Sequence, residues 1–252
     1  MTPGDPHAKD AGVSGQLTPA TQEYLEALYW LHEAGIDGTP TNLARALQVS
    51  PPSVTEMVGK LQAEGLVDRG PGRRISLTPA GEHAARRVVN RHRLVEAFLV
   101  KVVGVPWDEV HEEAEAFEMG VTPRLEARML AMIGEARTCP HGHPIGDYPR
   151  EPGVPLTAVA AGSVVRILRF ENEDQQLLRT FRRAGVEPRG RYRIAAFDQG
   201  TARLDGASAP LPLQAARTIS VAVEEPGSGE PAERDPASLA TAYLLGETHW
   251  SR

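Results

Sequence analysis

The residues best suited to chemistry in this 252-residue chain are imidazoles and carboxylates at helical spacing. His92 and Glu96 stand four apart, and His111, Glu115, Glu118 and Met119 follow at i, i+4, i+7 and i+8. At about 100° per residue, His111, Glu115 and Glu118 fall within about 60° of one another on one helix face. Glu112 and Glu113 point away and read as solvated. Glu23 and Glu26, three apart, put two more carboxylates on one face of an earlier helix. Such groups converging from three helices repel one another unless a cation joins them. Oxygen and imidazole donors without thiolate favour Mn(II) or Fe(II) over structural zinc. A Glu-rich face is by itself usually solvated, and a lone His is more often structural than a ligand; the joint spacing carries the reading.

A second set of residues is suited to nucleic acid. The whole chain has 27 Lys and Arg against 33 Asp and Glu, a net charge of −6, but the charge is segregated. Residues 41–93 hold nine basic and four acidic side chains, and residues 94–135 hold three basic and nine acidic. One block suits an anion and the other a cation. Within the basic block, SPPSVTEMVGK reads as the second helix of a helix-turn-helix, the one that enters the major groove. Ser50, Pro51, Pro52, Ser53, Thr55 and Glu56 lie opposite its buried Val54, Met57 and Val58. The hydroxyls can hydrogen-bond base edges, the prolines can contact thymine methyls, and Glu56 suits cytosine amino groups or solvent better than phosphate. Lys60, Arg73 and Arg74 are placed for sequence-independent phosphate contacts.

The elements that must position these residues follow from caps and periodicity. Residues 1–16 are rich in Gly, Pro and Asp and read as a disordered tail. Thr18-Pro19 opens a first helix with Leu25, Leu28 and Leu31 inward, ended at Gly35. A short helix over about 41–48, a turn at Val49-Ser50 and the reading helix follow. A hairpin with a Gly-Pro-Gly turn comes next, completing a winged helix-turn-helix over residues 17–80. Residues 81–150 read as a helical metal-binding and dimerisation domain: a long helix to about residue 100, a break at Gly104-Val-Pro106, then helices over about 108–119 and 122–135. Residues 151–225 become β-rich (SVVRILRF, GRYRIAAF, TARLD, ARTISVAVE), with one helix near 173–185, as in a small β-barrel. Residues 226–252 read as a flexible linker and a tail, with ATAYLLGETHW a terminal helix.

These motifs together resemble the diphtheria toxin repressor family, which includes iron-dependent regulators and manganese transport regulators. The resemblance spans roughly residues 18–224 and rests on EYLEALYWL, SPPSVTEMVGKL, LTPAG, RHRLVEAFL, VHEEAEAFEM and CPHGHPI. It implies that the β-rich region is a FeoA-like barrel and that His92, Glu96 and His111 form the ancillary metal site of iron-type members. It also implies that Glu26, Glu115 and Glu118 are carboxylate ligands of the manganese type. Glu23 stands where the family has a Met or Asp ligand, and Met119 departs from the family's His. The barrel can lend ligands, for which Glu171 and Asp174 in FENEDQQLL are the candidates; Glu173 and Gln176 have the same spacing. Cys139, His141 and His143 have the look of a separate metal box, but the resemblance makes them part of a turn. The oxygen-rich set favours Mn(II), with Fe(II) second.

The expectation is a cytoplasmic, homodimeric, metal-activated repressor of metal-uptake genes. Metal would join the first, fourth and fifth helices and set the two reading helices about 34–36 Å apart on palindromic double-stranded operator DNA. One cysteine excludes an intrachain disulfide framework, and no apolar run approaches the roughly 20 residues of a membrane span. Two other classes are weighed. A winged-helix regulator of a small organic ligand would leave the carboxylates solvated. A dinuclear carboxylate metalloenzyme would need Glu-x-x-His pairs that the ligand helices lack.

Overall fold

The computed structural model describes residues 17–233. The expected N-terminal tail and the expected terminal helix lie outside those residues. The chain forms two compact units, one extending to Val88 and one beginning at Val89.

Five helix starts among the described residues are written as a hydroxyl residue followed by proline. Thr18, Thr39, Ser50 and Thr122 each accept a backbone N–H of the first turn, and proline follows each. The Thr78 hydroxyl does the same for Gly81 ahead of the helix that opens at Pro79. Each cap satisfies one orphan donor and contributes about 1 kcal/mol, and the proline gives up only an N–H that would have had no partner.

In the first unit these caps open α1 (Pro19–Glu33), α2 (Pro40–Ala46) and α3 (Pro51–Ala63). Leu25, Leu28 and Leu31 of α1 are buried, as are Leu43 of α2 and Val54, Val58 and Leu61 of α3. Gln48 takes a left-handed φ of 51° in the turn before α3. Strands β1 (Val67–Arg69) and β2 (Ile75–Leu77) pair antiparallel as the wing, with a short 3-10 turn over Pro71–Arg73 between them. The fold is the expected winged helix-turn-helix. Helix α4 (Pro79–Phe98) can begin only because residue 81 is glycine, since a Cβ there would stand 1.8 Å from the Leu66 carbonyl oxygen.

The second unit joins helices to a sheet. Helix α4 stops at Phe98, earlier than expected, and passes into a π-helical turn over Leu99–Val103 that Gly104 ends at φ 88°. Helices α5 (Val110–Glu118) and α6 (Pro123–Ile133) follow and pack Val110, Ala114, Met129 and Ile133 against Leu94, Val95 and Leu99. Beyond them, strands β3 (Val154–Pro155), β4 (Val164–Phe170), β5 (Arg191–Asp198), β6 (Thr201–Leu204), β7 (Leu211–Pro212) and β8 (Ile219–Glu225) form one antiparallel sheet in the order β3-β8-β4-β5-β6-β7. Helix α7 (Gln175–Arg183) covers it through Leu178 and Phe181, and the Phe181 ring stacks 4.7 Å from that of Phe170. A one-turn helix, α8 (Leu213–Ala216), links β7 to β8.

The segment after β8, expected to be a flexible linker, is held to the sheet domain as far as it is described. Gly227 N–H donates to Ser163 Oγ (2.8 Å), Gly229 N–H to the Ala161 carbonyl (3.0 Å), and Glu233 accepts from Thr157 and Arg217. No helix among the described residues is long and apolar enough to cross a membrane.

Candidate metal centre and DNA-reading surface

Four stretches of the second unit converge on one buried point. Helix α4 brings His92 and Glu96, α5 brings His111, the turn over residues 139–145 brings Cys139, His141 and His143, and the loop between β4 and α7 brings Glu173; all are buried. His92 Nε2 lies 3.1 Å from His111 Nδ1, and both nitrogens lie 3.2 Å from Glu96 Oε1. Glu173 Oε2 stands 3.3 Å from His111 Nδ1 and 3.3 Å from His141 Nδ1, which is itself 3.3 Å from Glu96 Oε1.

The turn is seated by backbone bonds rather than by bulk. Cys139 N–H donates to the His143 carbonyl (2.8 Å) and Phe170 N–H to the His141 carbonyl (3.0 Å), while the Arg93 guanidinium holds the Pro144 carbonyl (3.1 Å). Gly142, at φ 98°, is required: a Cβ there would fall 1.9 Å from the Leu168 carbonyl oxygen. His143 Nε2 lies 3.1 Å from the Phe170 carbonyl oxygen and 3.3 Å from Glu173 Oε1, which places it behind that carboxylate.

The outer nitrogens of the three central imidazoles each meet an acceptor. His92 Nδ1 is 3.1 Å from Glu118 Oε2, His111 Nε2 is 3.3 Å from Glu115 Oε1, and His141 Nε2 is 2.8 Å from the Trp107 carbonyl oxygen. An acceptor on the outer nitrogen puts the proton there and turns the inner lone pair toward the centre, the arrangement that orients imidazoles on metals. Three inward lone pairs then face two carboxylates at little more than 3 Å. Either protons or a cation must occupy that space.

The electrostatics say the same. Burial works against charge on His92, but Glu96 and the bonds to Glu118 and Glu96 outweigh it and raise its pKa to about 10. Burial likewise opposes charge on His111 and His141, yet bonds to Glu115 and Glu173 hold the first well above the ordinary histidine value, and the charges of Glu173 and Glu96 do so for the second. Glu96 and Glu173 are held well below the usual carboxylate range in spite of burial, chiefly by these imidazoles. His143 goes the other way, lowered by burial and by Arg93. The donors present, imidazole, carboxylate and one thiol, fit a divalent first-row transition metal.

The other sequence-based candidates lie outside this buried point. Glu171 is paired with Arg150 and Arg169, at 2.5 and 3.1 Å. The Asp174 carboxylate caps α7 through Leu177 N–H (3.0 Å). Glu173, the alternative at that position, is the loop carboxylate that enters the centre. Glu115 and Glu118 stand behind His111 and His92, away from the buried point. Met119 is 62% exposed. Glu23, exposed, and Glu26, buried, lie on α1 in the first unit. Reading CPHGHPI only as a turn missed His141 and Cys139, although the Cys-x-His spacing was the signal. It also missed that a thiol stands among the donors.

On the first unit, Ser50, Pro51, Pro52, Ser53, Thr55, Glu56, Lys60, Arg73 and Arg74 are all exposed. The Ser50 hydroxyl accepts from Ser53 N–H (3.3 Å), and Thr55 Oγ1 donates to the Pro51 carbonyl (3.0 Å). Lys60 pairs with Glu56 and Arg74 with Asp37, each at 3.0 Å and solvent-exposed. Such pairs contribute about 0–1 kcal/mol and exchange cheaply for phosphate. Arg69, which the sequence did not single out, reaches the Thr55 carbonyl (3.3 Å) from the wing.

A winged helix-turn-helix joined to a helical domain and a sheet domain that share a buried histidine–carboxylate centre defines a class, that of metal-sensing DNA-binding regulators. The chain matches the family models "Iron dependent repressor, N-terminal DNA binding domain" over residues 16–74 and "Iron dependent repressor, metal binding and dimerisation domain" over residues 78–147. It is 32% identical over 202 residues to the iron-dependent repressor IdeR of Mycobacterium tuberculosis, covering 73% of this chain and 87% of that protein. With the diphtheria toxin repressor of Corynebacterium diphtheriae it shares 31% identity over 129 residues, covering 51% of this chain and 57% of the other. Among solved structures, a manganese-dependent transcriptional repressor in complex with manganese matches at 35% identity and TM-score 0.73, covering 81% of this chain and 99% of that one. IdeR of T. acidophilum matches at 28% identity and TM-score 0.68, covering 83% and 100%. The chain belongs to the iron-dependent, or diphtheria toxin, repressor family.

Proposed function

We propose that this protein is a homodimeric, metal-dependent transcriptional repressor that binds double-stranded operator DNA and controls metal-uptake genes, with Mn(II) as its first effector and Fe(II) as its second. The observation that carries the reading is the three inward imidazole lone pairs set against Glu96 and Glu173, an arrangement that calls for a cation. His92, Glu96, His111 and Glu173 would hold the ion, which supplies the positive charge that the imidazole protons supply in the metal-free protein. Glu118, Glu115 and the Trp107 carbonyl aim the three rings.

Dimerisation is supported by exposed apolar side chains on the helical domain, Val103, Phe117, Met119, Leu130 and Met132. Two copies related by a two-fold axis would present two reading helices to a palindromic site. Metal and operator are linked: an ion that tightens operator binding must itself be bound more tightly on the operator, by a coupling of about 1–3 kcal/mol. The test is operator affinity by fluorescence anisotropy at fixed salt, with Mn(II) and with chelator. A gain of about 5- to 150-fold with Mn(II) is expected; equal affinity in the two conditions would overturn the metal-dependent reading.

A further inference from the structure

Of the imidazoles around the buried centre, His143 faces it differently from the rest. The outer nitrogens of His92, His111 and His141 each meet an acceptor, so their inner nitrogens present lone pairs to the carboxylates. His143 has the reverse arrangement. Its Nε2 lies 3.1 Å from the Phe170 carbonyl oxygen and 3.3 Å from Glu173 Oε1. Both oxygens only accept, so Nε2 carries a proton. Its Nδ1 lies 3.4 Å from Arg150 Nη1, and a guanidinium only donates, so Nδ1 carries a lone pair. The neighbours on both sides therefore select one neutral tautomer, with its N–H aimed at the loop carboxylate.

The guanidinium that makes this selection is itself fixed. Arg150 Nη2 donates to Glu171 Oε2 (2.5 Å), and Arg169 Nε donates to Glu171 Oε1 (3.1 Å). Buried Arg169 also donates to the Glu151 carbonyl (2.7 Å) and to Ser220 Oγ (3.0 Å). A continuous path thus runs from β4 through Arg169, Glu171, Arg150 and His143 to Glu173. At its end, Glu173 Oε2 is turned toward His111 and His141, 3.3 Å from each. That oxygen is buried and makes no hydrogen bond among the described residues. The two carboxylates of the loop are treated in opposite ways. Glu171 meets two cations, whereas Glu173 meets in His143 a neutral donor that can orient it and leave its charge available.

We infer that His143 is a positioning residue: its Nε2–H pins Glu173 Oε1 so that Oε2 is presented to the ion, and His143 itself is not a ligand. This rests on the metal-binding reading above and adds the group that aims the loop carboxylate. Removing a hydrogen-bond partner behind a metal ligand costs about 10- to 100-fold in metal affinity.

The experiment uses full-length protein, stripped with chelator and titrated with Mn(II) against a competing chelator. H143L, which fills the space without a donor, should weaken Mn(II) binding by about 10- to 100-fold. H143Q, whose amide can donate in place of Nε2, should stay within a few-fold of wild type. In an E173Q background H143L should cost nothing further, because the carboxylate it aims is already gone. Proton–nitrogen NMR of histidine-labelled protein adds a readout that packing alone does not move. The imidazole signal that disappears in H143Q should be neutral and protonated at Nε2, both in chelated protein and after loading with Zn(II). Circular dichroism of each variant checks the fold. Wild-type affinity in H143L, no rescue by H143Q, an equal loss in the E173Q background, or a His143 ring protonated at Nδ1 or bound to zinc would each overturn the role. Operator binding measured alongside separates the two readings. Operator affinity indifferent to Mn(II), with metal affinities in the expected order, overturns the functional proposal alone; Mn(II)-dependent operator binding with H143L unimpaired overturns this inference alone.

Discussion

At the scale of single residues, Glu171 and Glu173 show how two carboxylates in one loop take opposite roles. Glu171 is neutralised by Arg150 and Arg169, and Glu173 is left to the imidazoles. E173Q is therefore expected to weaken Mn(II) binding by more than a hundredfold. E171Q should leave metal affinity within a few-fold while lowering stability, because it takes away the negative charge that two guanidinium groups share. Competition titration against a chelator and denaturant melts check the pair. E118A, which removes the acceptor behind His92, should cost about 10- to 100-fold in affinity. The proton inventory gives a pH prediction. His92 is raised from 6.5 to about 10, so the stability it lends the metal-free protein is full below pH 6.5 and is lost as pH rises through about 10. Glu96 and Glu173 are held low, so their contribution is present above the ordinary carboxylate range and is lost in acid. The chelated protein should thus be most stable from roughly pH 5 to 6.5 and weaken on both sides. Mn(II) must displace the imidazole protons, so binding at pH 7 should release protons and tighten as pH rises. Calorimetry in buffers of different ionisation enthalpy reads this directly, and a buffer-independent heat would contradict it.

At the scale of elements, what the sequence revealed and what it hid have a common physical cause. Caps and apolar periodicity are local, so Thr18-Pro19, Ser50-Pro51 and Thr122-Pro123 located α1, α3 and α6 to within a residue or two. His92, Glu96 and His111 were legible because helical spacing alone puts each pair on one face. Glu173 and His141 were not, because their position depends on a turn and a loop being pressed together by the sheet, and nothing periodic records that. Met119 shares the spacing of the ligand face, but α5 ends at Glu118, and Met119, its C-cap, is exposed. The clearest element-level test is G142A. The substitution brings a Cβ against the Leu168 carbonyl at a φ that L-residues rarely adopt, so the turn cannot seat against β4. It should remove the contribution of His141 and Cys139 to metal binding while leaving the helical content of circular dichroism unchanged. On the first unit, S50A removes the cap of α3 and should destabilise it by about 1 kcal/mol in chemical denaturation.

At the scale of the whole molecule, the exposed Phe117, Leu130 and Met132 of the helical domain are expected to be covered in a dimer. The double variant F117E/M132E should sediment as a monomer and lose most of its operator affinity, while its metal count stays that of the wild type. The basic reading surface makes a separate prediction about salt. Replacing Lys60, Arg73 or Arg74 by alanine takes one phosphate partner away each time, and should reduce the slope of log affinity against log salt by about 0.9. Titrating one operator at several ionic strengths measures that slope.

Trp107 links the sheet domain to this chemistry in a way that can be watched. Its carbonyl accepts from His141, and its indole stacks 5.3 Å from the Phe170 ring at the head of the loop that carries Glu173. The protein therefore carries a built-in optical gauge. A paramagnetic occupant two side chains away should dim indole emission, and diamagnetic zinc should shift it with far less dimming. The same gauge could follow the filling and emptying of the sensor in real time, with no label attached.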